Sequence, residues 1–126
     1  MSQAVKARKQ PPITIEQTSI PAVIAHFEMP DGSLIGAGVL AGDTAVVLLN
    51  SEVQSGDVVL VHTPQGLEVL QYHTAPCERV KLRTLEFTRS RKYVYTKKDA
   101  VILGRVVQFI SNGKPVQLLI NLRPVC

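Results

Sequence analysis

An all-β domain of several short twisted strands, with little or no helix, is the fold class that this sequence predicts. Three observations carry the prediction. The apolar content is 45% but aromatics are only 5% and tryptophan is missing, so the core is built from Val, Leu and Ile, side chains that fit a pleated surface. No segment holds a 3.6-residue apolar period between helix caps, whereas short apolar or alternating runs recur between turn signals. Those signals include a doubled Gly-Asp: Gly42-Asp43 opens the apolar run 45–49 and Gly56-Asp57 opens the run 58–61.

The elements follow in order. Residues 1–12 are polar and basic and end in Pro11-Pro12, which predicts a flexible basic arm ahead of a single β-rich domain over 13–126. Ile13-Thr14-Ile15-Glu16 alternates as a short strand, and 22–27 forms a second, closed by a turn over Met29-Pro30-Asp31-Gly32. Three glycines in 36–42 oppose a stable helix. The run 45–49 reads as a strand buried on both faces. Residues 58–62 and 67–71 form a hairpin around Thr63-Pro64-Gln65-Gly66, with proline pre-setting the second turn position. Over 80–87 the alternation slips phase between Val80/Leu82 and Leu85/Phe87, which predicts a bulge near Arg83-Thr84. Residues 92–96 put Tyr93 and Tyr95 on one side and Val94 on the other. A last hairpin joins 101–110 to 116–122 through Asn112-Gly113. The total is about nine strands and at most one helical turn.

At 126 residues the chain has the size of one ordinary domain. The net charge is +4, and eight of the 14 basic residues fall between 79 and 98, where Glu86 is the only acid. Such a run is either a solvated face or the footprint of an anionic partner. Two cysteines, Cys77 and Cys126, make no disulfide framework. Residues 1–10 lack the apolar stretch of a secretory signal, and no apolar run reaches membrane-spanning length. The expectation is a cytoplasmic protein with no membrane partner. His26, His62 and His73 have no close metal spacing, and Cys77 follows His73 on a loop; no metal and no cofactor are expected.

The order of Phe27, Gly32-Ser33, Gly42-Asp43, Gly56-Asp57, the hairpin 58–71 and Ile102-Leu103-Gly104-Arg105-Val106-Val107 resembles the C-terminal domain of the LexA/UmuD family of serine–lysine self-cleaving regulators. The resemblance covers roughly residues 13–110. It implies a β-clip type of fold, Ser33 as the nucleophile and a lysine base on the second strand of the hairpin. That register falls on Leu70 or Gln71, and neither is a base. Leu34 stands where the family usually has methionine. The Ala-Gly pairs, Ala37-Gly38 and Ala41-Gly42, follow the serine, whereas the family cleaves upstream of it. The helix-turn-helix of the family is absent. The resemblance further implies a homodimer and a protein partner in a DNA-binding or DNA-repair system.

A serine hydroxyl needs an adjacent base to act as a nucleophile. In the family that base is a lysine kept neutral by burial. Without one, Ser33 is a turn serine that caps backbone groups. Lys81, Lys92 or His26 would have to supply a relocated base. The leading reading is therefore a catalytically degenerate LexA/UmuD-like peptidase domain acting as a homodimerising regulatory or stress-response module of bacteria. One alternative keeps Ser33 active in self-cleavage. Another, of a different class, is a small basic β-barrel binding nucleic acid through 79–98. Its contacts would come from Arg79, Lys81, Arg83, Arg89, Arg91, Lys92, Lys97 and Lys98, with Phe87, Tyr93 and Tyr95 stacking on bases. The apolar run 116–122 predicts a central strand or a subunit interface.

Overall fold

The two Gly-Asp pairs are turns of one design. In the computed structural model, which describes residues 13–17 and 23–124, Gly42 and Gly56 have φ of 94° and 100°, a region that glycine enters without steric cost. The Asp43 N–H donates to the Leu40 carbonyl (3.1 Å) and the Asp57 N–H to the Gln54 carbonyl (3.0 Å). Each carboxylate then accepts the amide N–H three residues earlier, from Leu40 to Asp43 Oδ2 (2.9 Å) and from Gln54 to Asp57 Oδ2 (2.7 Å). This is the aspartate turn chemistry that offers the backbone a local partner. Each turn launches a strand.

Among the described residues nine strands result: β1 (Ile13–Gln17), β2 (Val23–Glu28), β3 (Thr44–Leu49), β4 (Val58–Thr63), β5 (Gly66–Ala75), β6 (Arg79–Arg83), β7 (Lys92–Thr96), β8 (Val101–Ser111) and β9 (Lys114–Pro115). One 3₁₀ turn, Ile35–Ala37, is the sole helical piece among the described residues. The strands form one sheet in the order β1-β2-β3-β8-β4-β5-β6-β7, with β9 beside β8. Every pairing is antiparallel. The protein is all-β, as the alternation and turn signals predict. The sheet order has two ends, β1 and β7, so the small closed barrel of the nucleic-acid reading is not formed by the described strands.

The middle strands are apolar on both faces because each face has its own core. Ala25, Phe27, Met29, Leu34, Val39, Ala45, Val47, Val58, Leu60, Val69, Val106 and Phe109 pack on one side. Val59, Val61, Leu70, Val80, Leu82 and Ala100 pack on the other, with Tyr72, Tyr93, Tyr95 and Ile102 against them. Alternate residues of β4 thus go to opposite cores, as the period-2 geometry of a strand requires.

Two expectations are corrected. The phase slip after Leu82 is not a bulge: β6 ends at Arg83. Leu85 then leaves the sheet to donate its N–H to the Ser33 carbonyl (2.8 Å) and to pack on the first core. The run 116–122 is not a strand either. The Asn112-Gly113 turn forms, with φ of 51° and 78°, but the ladder ends with β9 and one last bond, from the Val116 N–H to the Phe109 carbonyl (2.9 Å). The rest is an extended strap over the first core, into which Val116, Leu118, Ile120 and Leu122 turn, while Leu119 points out, 71% exposed. Polar bonds hold its end. Buried Arg105 donates to the carbonyls of Arg123 and Pro124 (both 2.8 Å), and Arg123 grips Asp57 through two bonds of 2.9 and 2.8 Å. The basic arm 1–12 lies outside the described residues.

Candidate functional site

Ser33 sits in a turn, and both of its own backbone groups are engaged. Its N–H donates to Asp31 Oδ1 (3.0 Å), and its carbonyl accepts from Leu85. The Gly36 N–H returns to the Leu85 carbonyl (2.6 Å). This reciprocal pair docks the serine turn on the chain between β6 and β7. A Cβ at Gly36 would lie 2.8 Å from the Leu85 carbonyl oxygen, so the docking requires glycine there. Ser33 itself is buried.

The pleat decides which residues share a face with this turn. Leu34 packs with Val58, Leu60 and Val69. Gln71 is the cross-strand partner of Val58, and Leu70 is the partner of Val59, which belongs to the other core. Of the two residues at the family's lysine register, Gln71 therefore lies on the face of the serine segment and Leu70 lies away from it. Further along that face, Arg83 is opposite Gln71 and Lys92 is opposite Arg83. His26 pairs with Val46 between the inward Ala25 and Phe27, so it occupies the far face of β2. Among the described residues, no lysine hydrogen-bonds the Ser33 hydroxyl.

Gln71 belongs to a directed chain of hydrogen bonds. The Thr74 N–H donates to Ser55 Oγ (3.2 Å). Ser55 Oγ lies 3.5 Å from His73 Nδ1, and His73 Nε2 lies 2.9 Å from Gln71 Oε1. Gln71 Nε2 donates to the Gly56 carbonyl (3.2 Å). The network assigns the proton of a neutral His73 to Nε2. Burial lowers the pKa of His73 from its ordinary 6.5, and the charges of Arg83, Lys81 and Lys92 lower it further, because each disfavours the imidazolium.

The eight basic residues of 79–98 do not form one cluster. Arg79, Lys81 and Arg83 alternate with Val80 and Leu82, which enter the second core. The three cations therefore share the outer face of β6, joined by Lys92 opposite Arg83. Arg91 leaves this group to bond Glu86 (3.0 Å), and Lys97 pairs with Glu78 (3.5 Å). Arg89 is exposed in the connection before β7, and Lys98 in the turn after it. The aromatic residues do not accompany the cations. Tyr93 and Tyr95 are the partners of Leu82 and Val80, so they lie against the second core, stacked at 6.3 Å between ring centroids. Phe87 is exposed in the loop. Residues that interleave along the chain are separated by the pleat, which sends neighbours to opposite sides.

Sequence reasoning passed over Ser55 and assigned no role to His73. Their signal is weak, since the contact spans 18 residues and depends on β5 lying beside the 54–57 turn. No group of three or more His, Cys, Asp or Glu that could hold a metal occurs among the described residues, and none of the helical residues described could cross a membrane. No family model and no curated protein sequence matches the chain.

Proposed function

We propose that this chain is a regulatory or stress-response module of bacteria, similar to the C-terminal domain of LexA/UmuD proteins, in which self-cleavage has been lost for want of a base. The observation that carries the reading is Gln71. Of Leu70 and Gln71, on which the family's lysine register would fall, it is the one on the face of the serine segment, and both ends of its amide are engaged, by His73 and by the Gly56 carbonyl. A carboxamide has no basic lone pair at neutral pH, so it cannot take the proton of Ser33. What remains of the site is a rigid turn, held by Asp31 and Leu85, on an all-β scaffold.

Such a module acts by binding. In this reading it forms a homodimer and engages a protein of a DNA-binding or DNA-repair system in the cytoplasm. The test is incubation of the full chain at alkaline pH, where a lysine base would be neutral, followed by intact-mass measurement. The expected result is an unchanged mass. A fragment that forms in the wild type and not in Ser33→Ala would overturn the reading and make the chain a peptidase with a relocated base. Sedimentation over a wide concentration range checks the dimer. A monomer throughout removes that part of the proposal.

A further inference from the structure

The cationic face of β5, β6 and β7 is independent of the serine turn's chemistry, and it has a use that the degenerate-protease reading leaves unassigned. We propose that it binds the phosphate backbone of double-stranded nucleic acid, without reading or stacking on the bases.

Four cations face one way. Cross-strand rows run Gln71, Arg83, Lys92; then His73, Lys81, Val94; then Ala75, Arg79, Thr96. No carboxylate belongs to any of these rows. Among the described residues none of the four cations takes part in an ion pair. The cations of a solvated face are ordinarily interspersed with acids; here the nearby acids, Glu78 and Glu86, pair with Lys97 and Arg91 instead.

Two further features describe the face. Arg83 Nε is buried and has no hydrogen-bond partner among the described residues, so any phosphate contact of this guanidinium comes through its terminal nitrogens. Beside it, the pKa of His73 is lowered first by burial and then by the charges of Arg83, Lys81 and Lys92. With no carboxylate in the rows to offset them, the four like charges repel one another, and an added polyanion relieves that repulsion.

The kind of polyanion follows from what the face lacks. Base stacking needs exposed aromatic rings, and Tyr93 and Tyr95 lie on the opposite side. A protein partner would want apolar anchors at its centre, and Val94 is the one large apolar residue in these rows. What the face offers is a row of three cations and a fourth beside its end. Arg79, Lys81 and Arg83 recur at every second residue of a strand, about 6.7 Å apart, and Lys92 stands one strand away, opposite Arg83. A row of that pitch fits a line of phosphates.

The experiment is fluorescence anisotropy of a labelled 20-base-pair duplex titrated with the full chain at several salt concentrations. Four phosphate contacts predict a slope of log K against log salt of about −3.6, since each contributes about −0.9. Two duplexes of unrelated sequence should bind alike. Half-buried Lys81 and exposed Lys92 are replaced together by glutamine, with circular dichroism to show that the fold is kept. The slope should fall to about −1.8, while Lys114→Gln, at β9, should leave it unchanged. The His73 imidazole, followed by NMR, should titrate at higher pH with duplex bound. No binding at 50 mM salt overturns the proposal. So does a slope unmoved by the double variant, a single strand bound far more tightly than the duplex, or equal competition by polyglutamate, which would assign the face to an acidic protein.

Discussion

Gly36 and Gly32 stand four residues apart in the segment that carries Ser33, and the structure predicts opposite fates for them on substitution by alanine. At Gly36 the new Cβ meets the Leu85 carbonyl oxygen at 2.8 Å and backbone carbons of Leu85 and Glu86 at 3.1 Å. The obstacle is backbone, so relief requires the turn and the loop to part. Parting strains or breaks the two reciprocal bonds, Gly36 N–H to the Leu85 carbonyl and Leu85 N–H to the Ser33 carbonyl. Each is worth about 1 kcal/mol net, and forced overpacking adds about 1–3 kcal/mol. Alanine returns roughly 0.5–1 kcal/mol through the reduced entropy of the unfolded chain. The expected loss for Gly36→Ala is about 2–4 kcal/mol, or a fall of roughly 8–14 °C in melting temperature for a domain of this size. At Gly32 the nearest atom to a new Cβ is the Ile35 Cβ at 3.9 Å, ordinary contact, so Gly32→Ala should lie within about 0.5 kcal/mol of the wild type. Thermal unfolding followed by circular dichroism measures both. Amide hydrogen exchange at Leu85 should accelerate in Gly36→Ala alone. Equal melting temperatures for the two variants would refute the docking of the serine turn on Leu85.

Three other outcomes are expected. Burial raises the Asp57 pKa, but hydrogen bonds from Arg123 and Gln54 and the charges of Arg123 and Arg105 outweigh it, leaving the folded value below the ordinary 3.8. A depressed carboxyl stabilises the fold above its unfolded pKa and loses that contribution as pH falls through the folded value. Urea midpoints should therefore drop below about pH 4 in the wild type and much less in Asp57→Asn, and parallel curves would contradict the linkage. His73 is also lowered, first by burial and then by Arg83, Lys81 and Lys92. For a base this means that the folded state favours the neutral ring, so its contribution is present above 6.5 and is lost as pH falls below it. An NMR titration midpoint at or above 6.5 in the free protein would count against that. In the terminal strap, Leu119→Ala should change stability by less than about 0.5 kcal/mol, whereas Ile120→Ala should cost about 2 kcal/mol, at the low end for a half-buried site; chemical denaturation decides, and equal costs would restore the picture of a strand covered on both faces.

Local chemistry determined much of this molecule. The Gly42-Asp43 and Gly56-Asp57 turns, the Asn112-Gly113 reversal, and the alternation of Tyr93, Val94 and Tyr95 are legible because each depends on residues within a few positions of one another. A turn needs a left-handed φ and a side chain able to cap it, and a strand needs period 2. Tertiary structure decided the remainder. The alternation of 116–122 fits a strand equally well, because a strap over a core also turns every second side chain inward; what separates them is that the ladder with β8 ends at Val116, whose N–H donates to the Phe109 carbonyl, and that the Leu119 N–H then bonds Ala37 outside the sheet. Leu85 breaks phase because the Ser33 carbonyl, 52 residues earlier, offers its amide a bond outside the sheet. Whether Gln71 or Leu70 faces the serine segment depends on a one-residue register between β4 and β5, and a slip of one exchanges the two faces. The grouping of Arg79, Lys81, Arg83 and Lys92, apart from Tyr93 and Tyr95 that directly follow Lys92 in sequence, has the same origin. Proximity along the chain is not proximity on a pleated sheet, where neighbours point apart and cross-strand partners from distant segments stand side by side.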